Sequence, residues 1–268
     1  GENMTYKDIC RILKENKIED YAFEARVLLE ELCGSCSENV DYESDALTQA
    51  LEKRITHYPL QYILGKWWFY DCEFYVDENC LIPRADTEIL VEIASRFLRS
   101  GDRFCDLCAG SGCIGITLLH ICENTVCDGV EKYEKTLQIA IKNADHNGVA
   151  DRYNPVLADV FDGECISGKY SAIISNPPYI RRDVMKSLSD EVKCEPYAAL
   201  DGGVDGLEFY RAILDLYIDN LADMGKFFFE IGYDQGEDLK NLSADRGLMC
   251  EIIKDYSGND RVAVISRE

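Results

Sequence analysis

Cys250-Glu251-Ile252-Ile253-Lys254-Asp255-Tyr256 and Arg261-Val262-Ala263-Val264-Ile265-Ser266 are two apolar runs joined only by Ser257-Gly258-Asn259-Asp260. That connection is too short for the crossover that parallel neighbours need, so the runs are expected to pair as an antiparallel hairpin at the edge of a sheet. Upstream, from Gly101 onward, strands and helices alternate. The strand candidates are Arg103 to Cys108, Val126 to Glu131, Tyr153 to Leu157, Tyr170 to Ser175 and Lys226 to Ile231, with helical segments between most of them. Alternation of this kind predicts a parallel sheet with helices on both faces. The terminal hairpin then adds one reversed strand to an otherwise parallel sheet. Nicotinamide-binding Rossmann domains lack that reversal.

Between the first strand and its helix lies Asp106-Leu107-Cys108-Ala109-Gly110-Ser111-Gly112-Cys113-Ile114-Gly115. Gly110, Gly112 and Gly115 match G-x-G-x-x-G, which lets a ligand approach backbone closely at a helix N-terminus. The pattern alone does not say which nucleotide binds. Glu131 ends the second strand ~20 residues further on, where an acid accepts hydrogen bonds from ribose hydroxyls. Asp159, after the third strand, is placed either to meet an adenine amino group or to cap a turn.

The run Tyr170 to Ser175 leads directly into Asn176-Pro177-Pro178-Tyr179. Open α/β sheets bind ligands at strand carboxyl ends. Two prolines have no N–H to donate and fix φ, so the chain leaves the strand stiffly with its carbonyls available. Asn176 adds an amide and Tyr179 a flat aromatic face. Such a cleft accepts hydrogen bonds from a planar –NH2 group and stacks on its π-plane, and a planar amide or an amino-purine fits it equally well. Taken alone, the same four residues also read as a strand exit and turn.

Composition narrows the classes. The chain of 268 residues, 47% hydrophobic, can fill the cores of one large domain and one small one. It has no apolar run of spanning length and no basic-then-apolar leader, so neither a membrane nor export is expected. Gly1-Glu2-Asn3 is read as an added scar before a natural start at Met4. The thirteen cysteines are scattered through helices and strands and are read as reduced, intracellular thiols. Cys33 with Cys36 and Cys105 with Cys108 have the spacing of zinc half-sites, but one pair sits at a helix end and the other along a buried strand, so no metal is expected. His57, His120 and His146 are isolated from one another and are expected on helices. A net charge of -22 weighs against tracking nucleic acid, although Arg181-Arg182 leaves a local basic patch open.

Residues 5 to 58 are expected to be helical. Thr5 with Asp8 suggests a capping box, Ile9, Ile12 and Leu13 form a stripe, and Asp20 opens a segment striped by Phe23, Val27, Leu28 and Leu32 that ends at Gly34. A third segment carries Leu47, Ala50, Leu51, Ile55 and Tyr58 as far as Pro59. From Trp67 to Val76 the period changes to two around an Asp71-Cys72-Glu73 turn, a hairpin with Trp67, Phe69, Phe74 and Val76 inward. Next, Leu81-Ile82-Pro83-Arg84 leads to a helix capped by Asp86 or Thr87 and striped by Leu90, Ile93, Ala94, Phe97 and Leu98.

A parallel sheet with one reversed strand at its carboxyl end is the outline of the class I, Rossmann-like, seven-stranded S-adenosylmethionine-dependent methyltransferase fold. Within it the chain resembles the HemK/PrmC family, the protein-(glutamine-N5) methyltransferases of peptide-chain release factors. The resemblance is nearly full length. It rests on Pro59 to Gly65, Ile82-Pro83-Arg84 with Thr87-Glu88, Asp106 to Gly112, Asn176 to Ile180, Glu195-Pro196 with Ala199 to Gly203, Asp205-Gly206-Leu207, Phe209-Tyr210-Arg211, Glu230-Ile231-Gly232 and Asp260-Arg261-Val262. It implies a helical bundle over 1–65 that docks the release factor, a hairpin linker over 66–85 and a methyltransferase domain over 86–268. It also implies that Cys108, Ala109, Gly110, Ser111, Gly112 and Glu131 hold S-adenosylmethionine, with Val160 beside the adenine. Asn176, Pro177, Pro178 and Tyr179 would hold the substrate glutamine, Asn176 also meeting the cofactor.

This sequence departs from the family where Cys108 replaces the usual glycine, where Glu131 replaces a frequent aspartate and where Val160 replaces the aromatic of some members. The implied partners are class 1 release factors in the cytoplasm, with S-adenosylhomocysteine as product, and neither a membrane nor direct nucleic-acid binding. The alternative is an amino-group (N6-adenine) DNA or RNA methyltransferase, which shares the cleft.

Overall fold

The computed structural model describes residues 3–268, so Gly1 and Glu2 of the stretch before Met4 lie outside the described residues. Two compact units emerge, one running to Lys66 and including Ser189–Cys194, the other formed by Trp67–Leu188 and Glu195–Glu268.

The first unit holds α1 (Tyr6–Glu15), α2 (Tyr21–Cys33), α3 (Asp45–Arg54) and the short α4 (Leu60–Leu64). Thr5 and Asp8 form the expected capping box at α1, and Gly34 ends α2 in the left-handed conformation with φ 79. Three expectations fail here. Phe23 is 54% exposed, and Glu24 and Ala25 are buried in its place. The cause is an ion pair: Arg54, 2% exposed, meets Glu24 at 2.6 Å and Glu191 at 2.9 Å. A charged residue thus occupies a face that hydropathy alone assigns to phenylalanine. The third segment stops at Arg54 instead of reaching Tyr58. His57 lies in the following turn with φ 64, so it is not a helix residue.

The second unit begins with a hairpin of β1 (Lys66–Phe69) and β2 (Cys72–Tyr75). Its turn is Tyr70-Asp71, so Cys72 and Glu73 belong to the strand and Cys72 joins Phe69, Phe74 and Val76 inside, while Trp67 is only half-buried. A 3-10 turn, Ala85–Thr87, leads into α5 (Glu88–Phe97). Neither Asp86 nor Thr87 caps that helix through its side chain, because Thr87 is already helical with φ -73 and ψ -17.

A seven-stranded sheet follows, built from β3 (Arg103–Leu107), β4 (Val126–Glu131), β5 (Tyr153–Leu157), β6 (Tyr170–Ser175), β7 (Leu221–Glu230), β8 (Met249–Lys254) and β9 (Asp260–Ser266) in the order β5-β4-β3-β6-β7-β9-β8. All neighbours are parallel except those of β9, which runs antiparallel to both β7 and β8. The terminal hairpin is therefore present, but its reversed member lies one place in from the edge. Strand β5 forms the other edge and contains Pro155, which needs no ladder donor there.

Period-two alternation fills both faces. Phe104, Ala172, Ile174 and Phe228 pack with Leu90 and Ala94 of α5, Ile116 of α6 (Cys113–Ile121) and Ala140 of α7 (Glu134–His146). Cys105, Leu107, Ile173, Phe227 and Phe229 pack with Tyr210 and Leu214 of α8 (Glu208–Tyr217) and Leu239 of α9 (Gly236–Ala244). Each phenylalanine so buried contributes about 1.5–3 kcal/mol, which makes β7 a rigid support for what lies at its carboxyl end.

Candidate active site

Strands β3 and β4 run side by side with Leu107 opposite Val130, so the glycine loop and Glu131 emerge at one sheet edge. The loop is tied locally. Ala109 N–H donates to the Val130 carbonyl at 2.9 Å and Gly112 N–H to the Ala109 carbonyl at 2.8 Å. Glu131 accepts the Gly110 N–H at 2.9 Å on one carboxylate oxygen and the Tyr133 N–H at 3.1 Å on the other. Burial pushes the Glu131 carboxyl up, and the N–H groups of Tyr133 and Gly110 oppose it. Beneath the loop Asp106 is fully buried. One of its oxygens accepts the Gly115 N–H at 3.0 Å and the other has no partner, and burial raises the carboxyl to about 7.

Cys108 has φ 61, which explains the glycine usual at this position: β3 ends where the chain turns left-handed. Enclosure raises its thiol well above the ordinary range, with Glu131 adding to the effect, so it is a wall residue rather than a nucleophile.

A cavity of about 290 Å³ opens beside this loop. Cys108, Gly110 and Glu131 line it from β3 and β4, Asp159 and Val160 from the turn after β5, and Asn176 and Pro178 from the end of β6. Ala109, Ser111, Gly112, Pro177 and Tyr179 do not line it. Ala109, Ser111, Gly112 and Pro177 are buried, with the Ser111 carbonyl accepting from Asn143 Nδ2 at 2.8 Å and Gly112 opening α6.

Asp159 caps its turn, accepting the Phe161 N–H at 3.0 Å, and pairs with Lys132 at 2.8 Å. Burial would raise its carboxyl, but the Lys132 ammonium and the Phe161 N–H outweigh that and hold it below the usual range. Val160 is 5% exposed and its carbonyl accepts the Tyr217 hydroxyl at 2.6 Å, so α8 fixes it from behind. The aromatic missing at Val160 has neighbours: Phe161 and Phe209, edge to face at 4.8 Å, both line the cavity, as does Tyr197.

The tetrapeptide is held differently. Ser175 Oγ donates to the Leu107 carbonyl at 2.6 Å, fixing the end of β6 against β3. After the prolines, Ile180 N–H donates to the Leu200 carbonyl at 3.1 Å and Gly202 N–H to the Ile180 carbonyl at 2.8 Å, so the chain pairs with residues 200–203 instead of rejoining the sheet. A Cβ on Gly202 would sit 2.6 Å from Tyr179 Cα, and one on Gly206 would sit 2.5 Å from the Tyr179 carbonyl oxygen, so two segments press on Tyr179 through bare backbone. Asn176 is half-buried, and among the described residues nothing hydrogen-bonds its side-chain amide. The Tyr179 ring packs on the second core and its hydroxyl donates to Glu230 at 3.1 Å; burial, then Glu230, pushes the phenol up. The flat face expected in the cleft is thus turned away from the cavity lining.

The possible basic patch is neutralised, since Arg181 pairs with Asp234 at 3.1 Å and Arg182 with Asp201 at 3.0 Å. All thirteen cysteines are free thiols, and among the described residues no cluster of three or more His, Cys, Asp or Glu is arranged to hold a metal. Sequence reading assigned no role to Leu81, Phe161, Tyr197 or Phe209, which also line the cavity. The available signal was Glu195-Pro196. Buried Glu195 accepts the Ile82 N–H at 2.9 Å and Arg84 Nη2 at 2.5 Å, and so ties the stretch before α5 to the Pro196–Ala199 wall.

Residues 85–195 match the family model described as methyltransferase small domain, and residues 5–65 the one described as PrmC N-terminal domain. Among solved structures, a methyltransferase from Pyrococcus furiosus superposes with a TM-score of 0.55 at 19% identity, over 74% of this chain and 89% of that one. The fold is that of a class I S-adenosylmethionine-dependent methyltransferase. Release factor glutamine methyltransferases of Thermodesulfovibrio yellowstonii and Clostridium botulinum are 33% and 37% identical to it, over 97% and 94% of this chain and 90% and 94% of theirs. The chain belongs to the family of release factor glutamine methyltransferases.

The residues present fit S-adenosylmethionine. The cavity approaches the ~300 Å³ lower bound of small-molecule sites. Of the carboxylates in its wall, Asp159 is paired with Lys132 and Asp201 with Arg182, whereas Glu131 meets only backbone N–H groups, beside largely apolar surface.

Proposed function

We propose that the protein transfers the methyl group of S-adenosylmethionine to the side-chain amide nitrogen of the glutamine in the Gly-Gly-Gln motif of class 1 release factors, leaving S-adenosylhomocysteine. The observation that carries this reading is Asn176, an uncommitted amide beside Pro178 in the wall of the cavity that also holds Glu131. When bound, the cofactor supplies an electrophilic methyl on a sulfonium. Glu131 would accept from its ribose hydroxyls, Cys108 and Gly110 would give close backbone approach, and Val160 and Phe161 would flank its adenine, with Asp159 beside them. An amide nitrogen is a poor nucleophile because its lone pair is delocalised. The Asn176 side-chain oxygen and the Pro177 carbonyl accept its N–H bonds, fix its geometry and stabilise the positive charge that develops on it. The departing proton goes to water.

The helical unit docks the protein substrate, and the hairpin connects it to the methyltransferase domain. No described helix is long and apolar enough to cross a membrane, and a translation substrate together with thirteen free thiols supports a cytoplasmic setting. The net charge of -22 and the pairing of Arg181 and Arg182 weigh against an amino-purine substrate.

The test is tritium transfer from labelled cofactor to purified release factor, its Gln→Ala loop variant, duplex DNA and single-stranded RNA. Label should reach the intact release factor alone. Asn176→Ala should lower turnover about a hundredfold, far more than it lowers adenosylhomocysteine affinity. Label on nucleic acid, or on the loop variant, would refute the assignment.

A further inference from the structure

Gln235 immediately precedes α9 and is 2% exposed. Every polar atom of its side chain is bonded to backbone. Oε1 accepts the Gly232 N–H at 2.8 Å, while Nε2 donates to the Tyr179 carbonyl at 3.1 Å and to the Gly206 carbonyl at 3.2 Å. Only this amide orientation works, since its reverse would set an oxygen against two carbonyls and an NH2 against an N–H. The side chain does not cap α9, so the helix does not explain its identity. What the amide does is join three segments far apart in sequence: the end of Asn176–Tyr179, the turn at Gly206 and the exit of β7. Gly206 makes room for it, because a Cβ there would lie 2.9 Å from Gln235 Nε2.

We propose that Gln235 is a positioning residue for methyl transfer: by holding the Tyr179 carbonyl it sets the peptide planes that follow the two prolines, and with them the aim of Asn176 and the Pro177 carbonyl. Proline fixes φ but leaves ψ free, so Pro177 and Pro178 stiffen the tetrapeptide without orienting it. Orientation comes from where its far end is tied. Pro178 and Asn176 are wall residues, whereas Tyr179 is the first residue beyond them whose carbonyl is gripped by a buried side chain. The catalytic part of the inference rests on the proposed function, and the structural part does not.

Two substitutions in the full chain test it. In Gln235→Ala without cofactor, the amides of Ile180, Arg182 and Gly202, which donate to Leu200, Gly203 and Ile180, should exchange with deuterium at least about tenfold faster, while those of Phe227 to Phe229 keep their rates. With saturating cofactor, its kcat on release factor should fall about a hundredfold, with the adenosylhomocysteine Kd within about threefold of the parent. Gln235→Glu loses the donor when ionised and regains one when protonated, so its kcat relative to the parent should rise as pH falls from about 8 to about 6. Unchanged exchange at the three amides, a kcat within about threefold of the parent, or a Gln235→Glu ratio flat with pH would each overturn the inference. Exchange is read without substrate, so a parent protein inactive on release factor would remove the proposed activity and leave the tie through Gln235 to be judged on exchange alone.

Discussion

The glycine loop, Cys108 to Gly112, and the tetrapeptide, Asn176 to Tyr179, leave adjacent strands at the same edge of the sheet, Leu107 lying opposite Ser175, yet they are shaped by different means. The first is bent by its own backbone, with left-handed residues at Cys108, Gly110 and Gly112, and is tied at Ala109 and, across the next strand, at Val130 and Glu131. The second has no left-handed residue and depends on distant partners at Leu200, Gly202, Gly206 and Gln235. A cofactor loop is therefore bent by residues inside it and tied within one strand-helix-strand unit. A substrate cleft is encoded partly in segments that look like unrelated turns.

The largest effect expected from that difference concerns Asp106, the acid beneath the glycine loop. Its carboxyl is raised from 3.8 to about 7 by burial, against the opposing Gly115 N–H. In the unfolded chain the group loses its proton near pH 4, while the folded protein keeps it up to about pH 7. The neutral acid thus stabilises the fold fully below about pH 4, and the contribution is lost as pH rises to about 7. Three units correspond to roughly 4 kcal/mol. Urea unfolding of the parent and of Asp106→Asn between pH 4 and 8 should show the parent's stability relative to the variant falling over that range and levelling above it. A constant difference would mean that the loop rests on an ionised carboxylate instead.

The same glycine-to-alanine change, made inside the first loop and in the segment pressed against the second, gives the next effect in size. In Gly202→Ala the new methyl meets the Tyr179 Cα at 2.6 Å, and backbone cannot step aside. The expected cost is about 2 kcal/mol, with turnover reduced and cofactor affinity kept. In Gly110→Ala nothing lies within 4 Å, and only the left-handed φ of 58 is penalised, at about 1 kcal/mol. The methyl there enters the cavity wall, so cofactor affinity should fall instead. Isothermal titration with adenosylhomocysteine, alongside urea unfolding of each variant, separates the two signatures. If both variants lose cofactor affinity equally, the two loops are one mechanical unit and the contrast between them is false.

The same contrast explains what was legible in the sequence. Strands β4, β5 and β6 fall where hydrophobic period and turn residues place them, and the terminal hairpin fixes the reversed strand, because these signals are local. Glu131 was legible for the same reason, since its distance from the loop follows from one βαβ unit. Phe23 was misplaced because the face of α2 is set by Arg54, thirty residues away, through Glu24. Tyr179 was expected to face the ligand, and only the position of Glu230 on β7 shows why its ring turns inward. Gln235 carried no signal of its own: a polar residue before a helix suggests a cap, and its partner at Tyr179 is fifty-six positions upstream. In each case the missing information is a non-local polar contact, which hydropathy period does not register.

Cys108 offers the smallest and most local test. It sits in the glycine loop with φ 61, where an L-residue costs about 1–2 kcal/mol. Cys108→Gly removes that strain but also gives the unfolded chain more freedom, at about 0.4–1 kcal/mol. The balance should stabilise the protein by about 0.5 kcal/mol, visible as a slightly higher urea midpoint at unchanged slope. Cofactor affinity should rise or hold, because a wall side chain is withdrawn from the cavity. Nothing should change in the exchange of the Ile180, Arg182 and Gly202 amides, since their bonds run to Leu200, Gly203 and Ile180. A lower midpoint would show that the thiol's packing against its neighbours outweighs the backbone strain, and that this loop, like the other, owes part of its shape to side-chain contact.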